Sequence, residues 1–143
     1  DPEEDERESA LLLDPPGWYI TDPTTANFYR GEKDGRTTWT LTILGEHSTG
    51  KKARLRSTMS PEKNMEGVAD FTYRMYNDPK TGLRSVYKAM IGDSPTSDKH
   101  LEDFVTNYAI RMRLTRTGVN RDGTPMPGKT PDTLVVAYGA PRG

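Results

Sequence analysis

The stretch Thr37-Thr-Trp-Thr-Leu-Thr-Ile-Leu44 reads as a β-strand, because Trp39, Leu41 and Ile43 fall on one face and Thr38, Thr40 and Thr42 on the other. Gly31-Glu-Lys-Asp-Gly35 is a glycine-bounded turn that ties this strand to an extended stretch beginning near Ala26 and carrying Phe28, Tyr29 and Arg30. On its other side, Gly45 to Gly50 forms a second turn. From Lys51 to Thr58 the residues Ala53, Leu55 and Ser57 then alternate with Lys52, Arg54 and Arg56, a strand with one basic face. Upstream, Trp18 to Thr21 forms a short strand stopped by Asp22-Pro23.

Beyond Thr58 the period changes. Ser60-Pro61-Glu62 is a helix-start signal, and Met65, Val68, Phe71 or Thr72, and Met75 keep helical spacing, so a helix is expected from Ser60 to about Tyr76. A second helix, Leu83 to Ile91, carries Leu83, Val86, Tyr87 and Met90 on one side and stops at Gly92. Ser94-Pro95 opens a third helical segment with Leu101, Phe104 and Val105 inward. From Asn107 the period returns to two, with Tyr108, Ile110, Met112 and Leu114 opposite Arg111, Arg113 and Thr115. Residues 117–132 hold three Gly and three Pro and read as a long mobile loop before a last strand, Leu134 to Tyr138.

These elements predict a mainly β fold: a small antiparallel OB-like barrel with two to three helices between the early strands and a C-terminal hairpin. A two-layer α+β sandwich uses the same elements and stands as the alternative. At 143 residues the chain suits one domain, 15–143, with the helical insert at about 60–106. Residues 1–14 carry seven acids against Arg7 and read as a flexible acidic segment, free to sit on the basic face in competition with a ligand or to take a protein partner. From Pro15 onward 19 basic residues face 14 acidic ones. The excess sits in 28–64 and 109–130, at +4 each, around a middle of −2, the distribution of a polyanion-binding face.

Several chemistries find little support. The absence of Cys removes disulfides and thiolate metal sites, and no stretch has the length of a membrane span, so an intracellular protein with no membrane partner is expected, in the host cytoplasm if viral. Gly45-Glu-His-Ser-Thr-Gly50-Lys51-Lys52 approaches a phosphate loop, but Lys52 replaces the hydroxyl residue that holds Mg²⁺, and a strand rather than a helix follows. His47 and His100 read as solvated surface residues, and Glu62, Glu66, Asp70 and Asp78 as a solvated helix face and its turn. The expectation is a non-enzymatic protein without catalytic residues, metal or cofactor.

Binding chemistry is better represented. Arg54 and Arg56 on one strand and Arg111 and Arg113 on another each place two guanidinium groups about 7 Å apart along a strand face, a spacing suited to a phosphate backbone. Lys52 extends the first pair, Tyr19 and Tyr29 are the candidate base-stacking residues, and Arg36, Arg121 and Lys129 lie in or beside loops able to close over a strand. Trp39 shares a face with Leu41 and Ile43 and belongs to the core, whereas Trp18 is ambiguous.

Gly17-Trp-Tyr-Ile20, Thr38-Trp-Thr-Leu-Thr-Ile-Leu-Gly45, Gly50-Lys-Lys-Ala-Arg-Leu55, a helical insert ending at Met90-Ile-Gly92, Tyr108-Ala-Ile-Arg-Met-Arg-Leu114 and Leu134-Val-Val-Ala-Tyr-Gly139 follow one another in an order that resembles the small single-stranded-DNA-binding proteins of bacteriophages, built on an OB-like barrel. The acidic segment departs from that pattern, being N-terminal where such proteins often carry an acidic C-terminal tail. The resemblance implies a non-catalytic coat on single strands during DNA replication or recombination, with weak sequence preference. A viral structural, coat or assembly protein acting through self-association is the alternative, and an enzyme or a protein-interaction module stands behind it.

Overall fold

The computed structural model describes residues 1–5 and 12–142. The expected acidic segment 1–14 therefore lies partly outside the described residues. The strands are β1 (Gly17–Thr21), β2 (Asn27–Lys33), β3 (Arg36–His47), β4 (Lys52–Met59), β5 (Arg111–Thr117) and β6 (Asp132–Gly139). A 3-10 turn, Pro23–Thr25, separates β1 from β2, and the helices α1 (Phe71–Asn77), α2 (Leu83–Ile91) and α3 (Asp98–Asn107) lie between β4 and β5. The fold is mainly antiparallel sheet with a helical insertion, as the alternation of residues predicts.

β3 organises the sheet. One of its edges pairs with β4 along Trp39–Glu46; the other is shared, with β2 on Arg36–Thr42 and β1 on Gly45–His47. β1 continues the sheet into β5, and β5 into β6. The path is open, because no strand pairing joins β4 to β6 among the described residues, so the expected barrel does not close by hydrogen bonding. Part of the insert stands at this seam: α1 packs on β4, and the Tyr138 amide of β6 donates to the Thr81 carbonyl between α1 and α2, at 2.8 Å. A ladder bond is thus replaced by a loop contact.

The core lies between the inner sheet face and the helices. Tyr19, Leu41, Ile43, Leu55, Met59, Met112 and Tyr138 from the strands meet Leu83, Leu101, Phe104 and Val105, all buried. Trp39 belongs to this core as expected, with its indole N–H donating to Asp98 at 3.0 Å. The helix predicted from Ser60 begins only at Phe71. Asn64 accepts from the Glu66 and Val68 amides, Gly67 adopts a left-handed φ of 75°, and the Ser60 hydroxyl is donated to Thr37, so local turns occupy 60–69. Asp70 is the working N-cap, accepting from the Tyr73 amide, and Met65 and Val68 stay exposed.

α2 has the predicted bounds and ends on Gly92, whose φ of 104° is a left-handed cap that favours glycine. The cap of α3 is Ser97 rather than Ser94, and β5 starts at Arg111, leaving Tyr108 at the C-cap of α3 and exposed. The connection 118–131 is not featureless: Val119 bridges Pro125, and Asn120, Gly123, Met126 and Lys129 make turn hydrogen bonds within it. Among the described residues no helix is long and apolar enough to cross a membrane.

Candidate nucleic-acid interface

Side chains alternate across a strand, so burying Ala53, Leu55, Ser57 and Met59 turns Lys52, Arg54 and Arg56 of β4 outward. On β5, burying Met112 and Leu114 turns Arg111 and Arg113 outward in the same way. Register joins the two sets. Lys52 lies opposite Glu46, Glu46 opposite Ile20, and Ile20 opposite Arg111, so one row of outward residues crosses β4, β3, β1 and β5. Arg54 stands next to it opposite Leu44, Arg56 opposite Thr42, and Arg113 opposite Trp18. The two basic strands are thus separated by three inter-strand steps, about 14 Å before sheet curvature is considered.

Among the described residues no carboxylate pairs with Lys52, Arg54, Arg56, Arg111 or Arg113. The Arg111 guanidinium lies 4.5 Å from the Trp18 ring centroid and donates through Nε to the Ala140 carbonyl at 2.7 Å; that of Arg113 lies 6.0 Å from the same ring. Trp18, half-buried, thus has two cations beside its ring on this face. Tyr29 of β2 is 44% exposed on the outer face opposite Thr40, and the Arg56 guanidinium beside its hydroxyl lowers its pKa. Trp18 is ambiguous from the sequence and Ile20 carries no local signal of a site, but the outward direction of both follows from alternation once Tyr19 points inward.

Two expected site residues have other work. Tyr19 is fully buried, packs on His47 with ring centroids 5.1 Å apart and donates its hydroxyl to the Pro15 carbonyl at 2.6 Å, so it is a core residue and not a stacking platform. The reason is register: Tyr19 pairs with Met112 and His47, which brings it to the inner face. Arg36 is spent on structure, its Nη atoms reaching both Asp70 oxygens, Thr72 and the Glu62 carbonyl. It anchors segment 60–72 to the β2–β3 hairpin and holds the Asp70 carboxyl down at about 2. Arg121 and Lys129 are exposed in the β5–β6 connection.

The phosphate-loop-like sequence forms the β3–β4 hairpin, with the His47 amide donating to Lys51 and the Gly50 amide to His47, so no helix N-terminus is presented there. His47 is not a solvated residue. Half-buried, it lies within hydrogen-bond distance of Thr49 Oγ1 through Nδ1 and of the Pro16 carbonyl through Nε2, a bridge between the hairpin and the approach to β1. His100 is exposed, and its Nδ1 accepts from the Thr96 amide. In comparison with known proteins, no family model, no curated protein and no solved structure matches this chain.

Proposed function

We propose that this protein binds single-stranded nucleic acid, in the first place single-stranded DNA, without catalysing a reaction on it. The observation that carries the reading is that two basic strands, some sixty residues apart in sequence and separated by β3 and β1, turn their cations to one outer sheet face where no carboxylate among the described residues neutralises them. Phosphates that meet unpaired cations shed their condensed counterions, and this release is the main driving force of non-specific strand binding. Trp18 and Ile20 of β1, between the basic strands, and Tyr29 of β2, beside Arg56, supply flat or apolar surface on which bases stack with little sequence demand.

Connectivity supports the same reading. With β1 and β2 taken as one strand broken by the 3-10 turn, the strand order is compatible with a partly open Greek-key barrel, and on this reading β3 and β4 are the second and third strands, which carry the oligonucleotide face in OB-type folds. The resemblance to phage single-strand-binding proteins points to replication or recombination as the setting.

The test is fluorescence anisotropy with labelled single-stranded DNA, RNA and duplex of equal length at low and moderate salt. The expected result is binding that prefers single strands and weakens steeply with salt. No binding at low salt overturns the reading, and sedimentation analysis then tests self-association as an assembly protein.

A further inference from the structure

A depression of about 310 Å³ opens on the outer face where β1 parts from β3, lined by Ile20, Asp22, Pro23, Leu44, Glu46 and Lys52. Its volume is at the lower end of small-ligand sites. The register puts it in the middle of the basic face: Arg54 stands beside Leu44 on one side and Arg111 beside Ile20 on the other. Ile20 is 43% exposed, and Leu44 and Pro23 are half-buried, so apolar surface is open to solvent between cations.

Its two carboxylates differ. Asp22 is engaged, accepting from the Thr24 amide and hydroxyl at 3.1 and 2.7 Å. Glu46 is exposed and has no hydrogen-bond or ion-pair partner among the described residues, although it faces Lys52 across the ladder. On a face whose task is to attract phosphate, a free acid opposes binding unless it meets a donor of the ligand.

Building on the single-strand reading, we propose that this depression seats one nucleobase on Ile20, Leu44 and Pro23, and that Glu46 accepts a hydrogen bond from its exocyclic amino group. The phosphates on either side fall to Arg54, Lys52 and Arg111. Cytosine offers an N4 amino donor to a carboxylate, whereas thymine presents the O4 acceptor at that position, which Glu46 repels. The interface is therefore base-selective at one position, against the weak sequence preference that charge and stacking alone produce.

The experiment compares oligo-dC with oligo-dT of equal length for the unmodified protein and Glu46→Gln, with thermal melting as the folding control. The expected result is oligo-dC bound about five-fold more tightly than oligo-dT by the unmodified protein. In Glu46→Gln the ratio should approach one, with dC weakened and dT strengthened. A pure charge effect strengthens both, and that outcome overturns the proposal, as does equal affinity for the two oligomers in the unmodified protein. Failure to bind either oligomer at low salt overturns the single-strand reading and this proposal together, so the two failures are distinct.

Discussion

The basic side chains at the helical insert and those on the outer sheet face carry the same charge and are differently employed. Near the insert, Arg36 reaches Asp70, Arg30 reaches Asp98 and Lys99 reaches Asp103. On the outer face, Arg54, Arg56 and Arg113 have no such partner among the described residues. The insert belongs to the segment of net −2, and its acids neutralise the cations that point toward it, while cations on the opposite face keep their charge for an external anion. Availability is a property of pairing rather than of composition.

The two tyrosines test that contrast most severely. Tyr19→Ala should remove about 3–5 kcal/mol of stability by emptying a core site, read as a large loss of melting temperature. Tyr29→Ala, on the exposed face, should leave melting unchanged and reduce single-strand affinity by about 1–3 kcal/mol if the ring stacks on a base. Similar melting losses for both variants would break the distinction between inner and outer faces.

The arginines give the next largest effects. The double variant Arg54→Ala with Arg56→Ala should preserve the fold and lower the salt slope of strand binding by about two, an outcome checked by anisotropy titrations across salt. Arg36→Ala should do the reverse, costing about 1–3 kcal/mol of stability through the orphaned Asp70 and the lost tie to segment 60–72, with strand affinity per folded molecule unchanged. An altered salt slope in Arg36→Ala would place that residue back in the interface.

The smallest expected effect concerns pH. The Arg36 guanidinium, with help from the Tyr73 amide and the Thr72 hydroxyl, holds the Asp70 carboxyl at about 2, below its ordinary 3.8. A depressed carboxylate stabilises the fold fully above its unfolded pKa and loses that contribution as pH falls through 3.8 toward 2. Asp70→Asn keeps an N-cap side chain and removes the charge. Its melting temperature should lie below that of the unmodified protein at pH 6 and converge with it near pH 2, a difference of no more than about 1 kcal/mol because the pair is partly solvated.

Much of the sheet is legible in the residues. Alternation from Lys52 to Met59 and from Ile110 to Leu114 reports burial directly, since successive side chains point to opposite faces whatever the partner strand is, whereas in β3 it reports only the face, because Thr38 and Thr40 are buried as well as Trp39 and Leu41. The outward direction of Arg54, Arg56, Arg111 and Arg113 follows from it. The helix expected at 60–70 shows where local reading fails: Ser60, Asn64 and Asp70 are all capable caps, and which of them starts the helix depends on Ser60 finding Thr37 across the hairpin.

Chain order and side-chain period were enough for the element types, the basic strand faces and the core position of Trp39, because these depend on neighbours within a few residues. Tertiary structure alone decided which face of Trp-Tyr-Ile-Thr is inner, since each alternation carries a large aromatic ring and a one-residue shift of register against β5 would exchange Tyr19 with Trp18 and Ile20. It also decided that Arg36 is paired by an acid 34 residues away, and that β4 and β6 stay unpaired along the seam where the insert packs. Such long-range meetings arise from packing, and local sequence does not encode their partners.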